Sequence, residues 1–171
     1  LFVLFFFRDP ERTVPEGKGV VVSPADGRVI VIKDVYEPDY LKQNVKQVSI
    51  FLSVFNVHVN RAPIGGTIET VKYNPGKFLV ASEDKASLDN EQTGMVISDG
   101  KNKVLVKQIA GLIARRIVCY AKPGDAIKSG ERYGLIRFGS RVDLFLPKDT
   151  ELMVRVGDRI KGSRDVIGVM K

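Results

Sequence analysis

Ala121-Lys122-Pro123-Gly124-Asp125-Ala126-Ile127-Lys128-Ser129-Gly130, followed by Gly134-Leu135-Ile136, returns about 33 residues later as Val154-Arg155-Val156-Gly157-Asp158-Arg159-Ile160-Lys161-Gly162, followed by Gly168-Val169-Met170. Each copy sets a Gly-Asp turn before an Ile-Lys pair and closes on a second Gly, the pattern of a repeated hairpin. Working outward, short apolar runs recur between Gly, Pro, Asn and Asp. Strands are expected at 19–22, 28–33, 67–73, 95–98 and 104–109, with one long extended stretch at 47–59. Arg141 to Leu146 alternates Val142, Leu144 and Leu146 with Arg141, Asp143 and Phe145, a period of two, and 151–156 does the same. The polar segment 82–93 reads as a loop or short helix. The expected fold is mainly β, a compact β-sandwich or barrel-like domain with few short helices.

The echoed hairpins resemble those of biotinyl- and lipoyl-type β folds, although no Lys stands between the apolar neighbours that a carrier domain uses. The chain has 171 residues, enough for one domain with a real core. Its formal charge is +7, and no Lys/Arg run reaches five residues. Such a surface suits any anionic partner, acidic lipid included, and carries no aromatic RNA-binding signature. Cys119 is the only cysteine, so it forms no internal disulfide and is expected to be a buried structural residue. Leu1-Phe2-Val3-Leu4-Phe5-Phe6-Phe7 is continuously apolar but far shorter than the about 20 residues a spanning helix needs. It is expected to be the remnant of a membrane segment or an interfacial anchor.

Three places carry candidate chemistry. His58 is the only histidine; with no His/Cys cluster to make it a metal ligand, acid–base work is its remaining functional role, a satisfied structural residue the alternative. Asp26 lies in Pro24-Ala25-Asp26-Gly27, a sequence that also makes a turn by its own chemistry. Gly139-Ser140 joins two strand-like runs, and its flanks lack the second Gly of a hydrolase elbow.

Phe7-Arg8-Asp9-Pro10-Glu11-Arg12, Ser23-Pro24-Ala25-Asp26-Gly27, Val57-His58-Val59-Asn60-Arg61-Ala62-Pro63, Tyr73-Asn74-Pro75-Gly76-Lys77-Phe78 and Arg137-Phe138-Gly139-Ser140-Arg141 follow one another in that order. This series resembles the short form of the phosphatidylserine decarboxylase family and covers nearly the whole chain. The resemblance implies self-cleavage at Gly139-Ser140, with Ser140 as nucleophile, the Gly139 carbonyl as target, His58 as general base and acid, and Asp26 orienting His58. Cleavage gives residues 1–139 as the larger (beta) subunit and 140–171 as the smaller (alpha) one. Ser140 becomes a pyruvoyl group, so no external cofactor and no metal is expected. The reaction implied is loss of carbon dioxide from phosphatidylserine to give phosphatidylethanolamine, at the cytoplasmic side of a membrane, by a peripheral or N-terminally anchored enzyme. Expected partners are the phospholipid, an anionic membrane surface and the protein's own cut subunits. Nucleic acid is not among them, and a homo-oligomer stays open. Arg61 and Lys77 are candidates for the substrate phosphate. Two positions depart from longer family members: Arg61 stands where they carry a second His, and Phe138-Gly139-Ser140-Arg141 where they have Leu-Gly-Ser-Thr. The same chemistry on archaetidylserine, or a non-catalytic lipoyl-like module that binds a membrane or partner, remains the alternative.

Overall fold

The computed structural model describes residues 4, 8–76, 90–111, 116–137 and 139–171. Their regular elements longer than one residue are all strands: β1 (Val20–Val22), β2 (Gly27–Glu37), β3 (Gln43–Leu52), β4 (Val59–Arg61), β5 (Gly66–Asn74), β6 (Gln92–Ser98), β7 (Lys103–Ala110), β8 (Ile117–Cys119), β9 (Ala126–Ile127), β10 (Arg132–Ile136), β11 (Ser140–Pro147), β12 (Glu151–Leu152), β13 (Arg159–Ile160) and β14 (Val166–Val169). Eight of them form one sheet in the order β13-β2-β3-β11-β7-β6-β5-β9, curled into a half-barrel, and two three-stranded sheets, β1-β14-β12 and β4-β10-β8, complete the molecule. The mainly β, barrel-like expectation holds.

These orders have an internal symmetry. The large sheet reads the same from either edge if β13, β2, β3 and β11 are exchanged with β9, β5, β6 and β7, and the same exchange turns β1-β14-β12 into β4-β10-β8. The echoed sequences are its visible trace. Gly124 and Gly157 both take positive φ, +93° and +98°, a conformation that favours glycine. Gly124 N–H donates to the Ile68 carbonyl at 2.7 Å, and Gly157 N–H to the Val29 carbonyl at 2.8 Å. In return Ile68 N–H donates to Asp125 and Val29 N–H to Asp158, each at 2.9 Å. The second half is continuous from β4 to β10. In it β6 and β7 are joined by the tight turn Asp99–Asn102, closed by Asp99 N–H to the Asn102 carbonyl at 3.1 Å. In the first half the corresponding turn, between β3 and β11, is open, and the whole second half is inserted there. Two short junctions result, 53–58 and 137–139.

The core lies inside the curl. Val29, Val48, Ile50, Leu52, Ile68, Ile97, Val106, Val142, Leu144 and Leu146 form one cluster with Tyr133, Ile136 and Ile160. A smaller cluster of Val45, Val96, Leu105 and Phe145 lies on the other face of the large sheet. β11 is buried on both faces: Arg141 and Asp143 have no exposed surface and meet through Arg141 Nε–H to Asp143 Oδ1 at 2.6 Å. Alternation therefore reads the strand correctly, but its polar face is interior.

Two expectations need correction. The stretch 47–59 is not one strand: β3 stops at Leu52 and β4 starts at Val59. Asn56 Oδ1 accepts from Ser53 N–H at 2.8 Å and from Ser53 Oγ at 2.9 Å, and these local bonds compete with the ladder. Likewise only Glu151–Leu152 of 151–156 is strand, because Arg155 N–H is taken by the Asp158 carboxylate at 2.8 Å to close the Gly157 turn. Most of 82–93 lies outside the described residues, and β6 begins at Gln92.

Candidate active site

The two junctions come together at one end of the large sheet. Ser140, the first residue of β11, sits opposite Leu52, the last of β3, and opposite Ala110 on its other side. Six residues beyond Leu52 the chain reaches His58, whose carbonyl accepts from Ile136 N–H at 3.3 Å. Ile136, bonded to His58, ends β10 of the small sheet, and Ser140 begins β11 of the large one four residues later. The only histidine lies on one junction and the candidate cleavage bond at the end of the other.

At Gly139 the backbone has φ +56°. A Cβ there would meet nothing within 4 Å, so conformation, not space, favours glycine: an L-residue in the left-handed region costs roughly 1–2 kcal/mol. Ser140 is fully buried, and its Oγ has no hydrogen-bond partner among the described residues. A hydroxyl stripped of water without compensation is costly, and buried polar atoms left over in a folded protein are commonly reactive or water-bound.

His58 is 2% exposed. Its Nδ1 lies 2.8 Å from the Asn56 carbonyl. A carbonyl only accepts, so Nδ1 carries the proton and Nε2 holds the lone pair of the neutral ring. Burial drives the pKa down from 6.5 to about 4, and Arg8 pushes the same way, while the Asn56 carbonyl and Asp26 oppose them. The ring is therefore neutral at pH 7, with Nε2 as its basic atom.

Asp26 is 1% exposed and its carboxylate is heavily engaged. Arg12 holds it with both terminal nitrogens, at 2.5 and 2.9 Å. Gly162 N–H donates to Oδ1 at 2.7 Å, and Lys161 Nζ stands 3.6 Å from Oδ2. The Asn56 carbonyl holds the imidazole at Nδ1, and Asp26 acts on the ring through space. Asn56 went unnoticed in the sequence because its role is partly main-chain: its side chain folds the loop and its carbonyl aims the ring.

Arg12 belongs to a segment that laces over the site. Arg8 donates to the Phe55 carbonyl at 3.1 Å. Asp9 pairs with Arg61 at 2.7 Å and also with Arg132, which in turn holds Glu11 at 2.6 Å. Arg61, 7% exposed, also donates to the Gly130 and Pro10 carbonyls at 3.1 and 3.2 Å. Through these bonds it fastens the N-terminal segment here. Lys77 lies outside the described residues. On the inner face Gln108 donates to Asn60 Oδ1 at 2.9 Å, and Asn60 Nδ2 and Gln108 Oε1 are buried with no partner among the described residues. These two amides, two residues from His58 and from the Ser140 neighbour Ala110, were not singled out in the sequence, where Asn and Gln carry no distinguishing pattern.

The family model for phosphatidylserine decarboxylase matches residues 1–168. The chain belongs to the phosphatidylserine decarboxylase family. A phosphatidylserine decarboxylase proenzyme of Syntrophus aciditrophicus is 50% identical over 170 residues, covering 98% of this chain and 79% of the relative. Those of Desulfotalea psychrophila and Symbiobacterium thermophilum are each 50% identical, covering 98% of this chain and 78% and 79% of theirs. Membership makes the chain a lyase-family protein of phospholipid synthesis, and the word proenzyme in the relatives' names speaks of their processing. Among the described residues no helix is long and apolar enough to cross a membrane, and no group of three or more His, Cys, Asp or Glu side chains is placed to hold a metal. Cys119 is half-buried and its thiol pKa is raised by burial, which keeps it unreactive.

Proposed function

We propose that this chain is the precursor of a phosphatidylserine decarboxylase that cuts itself between Gly139 and Ser140 and then converts phosphatidylserine to phosphatidylethanolamine and carbon dioxide at a membrane. The observation that carries this reading is the buried, unpartnered Ser140 Oγ next to a positive-φ Gly139, at the junction that His58 adjoins. In the first step Ser140 Oγ adds to the Gly139 carbonyl and its proton passes to His58 Nε2. The Gly139–Ser140 C–N bond breaks, the nitrogen leaves as the amine of residue 140, and an ester joins Gly139 to the serine oxygen. Loss of the Ser140 α-proton then expels the Gly139 carboxylate, and water replaces the residue's nitrogen, which leaves as ammonia. Residue 140 is left as a pyruvoyl group at the start of the smaller subunit.

The surroundings fit that group. Residue 140 lies buried on a central strand, and two ladder positions along, opposite Val142, is Gln108, bonded to Asn60; Asn60 Nδ2 keeps donor capacity for a carbonyl or carboxylate, and Gln108 Oε1 keeps acceptor capacity for an amine. Once formed, the pyruvoyl group supplies the electron sink for the pair left behind by carbon dioxide. His58, neutral with Nε2 basic, can take the proton that the substrate ammonium must lose and return it to the carbon that has lost carboxylate. Asp26 favours the charged ring through space and thereby assists each proton uptake.

The test is an assay of the purified protein on vesicles containing phosphatidylserine, following phosphatidylethanolamine. The expected result is turnover by the wild type without added cofactor and none by Ser140→Ala. Equal turnover by Ser140→Ala, or none by a fully cut wild type, would overturn the reading.

A further inference from the structure

The insertion symmetry isolates one feature that the fold does not require. At the β2–β13 edge Arg28 and Arg159 are directly opposite on paired strands, and both are exposed. Like charges facing each other across a ladder are destabilising. Neither guanidinium has an ion pair or hydrogen bond among the described residues. Asp158 is turned to the Arg155 N–H, and Asp26 is already shared by Arg12 and Lys161. At the symmetry-related edge, made by the same turn and the same bonds, the facing residues are Thr67 and Ala126. The scaffold is therefore built with neutral residues at one edge and with two unneutralised arginines at the other.

The arginine edge opens on a cleft of about 620 Å³, which Lys161, Phe51 and Phe55 also line. Phe55 is 67% exposed and stands on the junction 53–58, three residues before His58. Its carbonyl is held by Arg8, the residue that follows Phe5-Phe6-Phe7 in the chain. An exposed aromatic ring rimmed by free cations matches one kind of surface well: a bilayer with anionic phosphodiesters at its face and hydrocarbon beneath.

We infer that Arg28, Arg159 and Phe55 form a docking surface for an anionic phospholipid bilayer, the arginines meeting headgroup phosphates while Phe55 enters the interface. The surface lies on the loop that carries His58, so docking sets the active site against the lipid that it processes. This inference rests on the lipid-substrate reading above.

The test compares co-sedimentation of the full chain with phosphatidylcholine vesicles that contain phosphatidylglycerol or lack it. Each interfacial cation contributes enough that Arg28→Gln/Arg159→Gln is expected to weaken binding to the anionic vesicles roughly 30-fold. A control, Lys101→Gln/Lys148→Gln, removes the same charge at the opposite end of β7 and β11 and is expected to bind nearly as the wild type does. Phe55→Ser is expected to weaken binding to both vesicle types, roughly tenfold. Decarboxylation of a short-chain, monomeric serine phospholipid is expected to be unchanged in all of them. Wild-type vesicle binding by the arginine variant, or an equal loss in the lysine control, would refute the docking surface. So would a parallel loss on the monomeric lipid, which would move the arginines into the substrate site. If the wild type decarboxylates no serine lipid at all, the proposed function fails, while the vesicle measurement still decides the docking surface on its own.

Discussion

Lowering the pH tests the state of His58 directly, because no other histidine contributes to the signal. The ring's pKa falls from 6.5 to about 4 on folding, with burial the chief cause. The unfolded chain therefore binds a proton that the folded one refuses between those values, and the neutral ring's contribution to stability is complete above pH 6.5 and lost as pH falls toward 4. At about 1.4 kcal/mol per unit, the loss is roughly 2 kcal/mol by pH 5 and roughly 3 kcal/mol by pH 4. The experiment uses Ser140→Ala, which keeps the chain whole, with and without His58→Gln, and follows urea unfolding from pH 8 to pH 4. Subtracting the two curves removes the carboxylates they share. The histidine chain should lose stability over that window relative to the glutamine one, and its imidazole nitrogen resonances should titrate near pH 4 with the proton on Nδ1. A midpoint at 6.5 or above, or a proton on Nε2, would refute the reasoning from burial and from the Asn56 carbonyl.

Two further outcomes follow from the same geometry. Asp26→Asn removes a charge that raises the His58 pKa and leaves Arg12 facing a neutral group, so the His58 midpoint should fall further and stability should drop by roughly 3–5 kcal/mol; imidazole titration and urea unfolding check the two effects, and an unchanged or raised midpoint contradicts the through-space role. After cleavage the two subunits should stay together through size-exclusion chromatography without denaturant, because β11 is bonded along its length to both β3 and β7; separation under native conditions would contradict that strand's central place.

What the sequence discloses here is what local chemistry encodes. The Gly-Asp turns at Gly124 and Gly157 and the alternation of 141–146 can each be read from a few neighbouring residues. The break at Ser53–Asn56 is also local, but Ser and Asn side chains bond to backbone only once the loop has closed, and their spacing alone does not announce it. The insertion of one half into a hairpin of the other is a different matter. Leu52 and Ser140 are partners in one ladder across 87 intervening positions, a pairing that no short pattern records. The same holds for Asp26, whose partner Arg12 and whose donor Gly162 come from opposite ends of the chain. The motif at 8–12 could be recognised but not explained until Arg8, Asp9, Glu11 and Arg12 were seen to pair with Phe55, Arg61, Arg132 and Asp26. Arg61 is a further case: its bonds to Asp9 and to the Pro10 and Gly130 carbonyls join segments that lie far apart in the sequence.

Intact mass spectrometry of the purified protein beside Ser140→Ala tests the central claim most directly. The account predicts two wild-type fragments, residues 1–139 and 140–171, the smaller lacking the mass of an N-terminal serine and carrying a ketone that a carbonyl reagent labels, with the variant left as one chain. A wild-type protein that stays whole after incubation with phospholipid membranes, or one cut elsewhere with Ser140 intact, would contradict it.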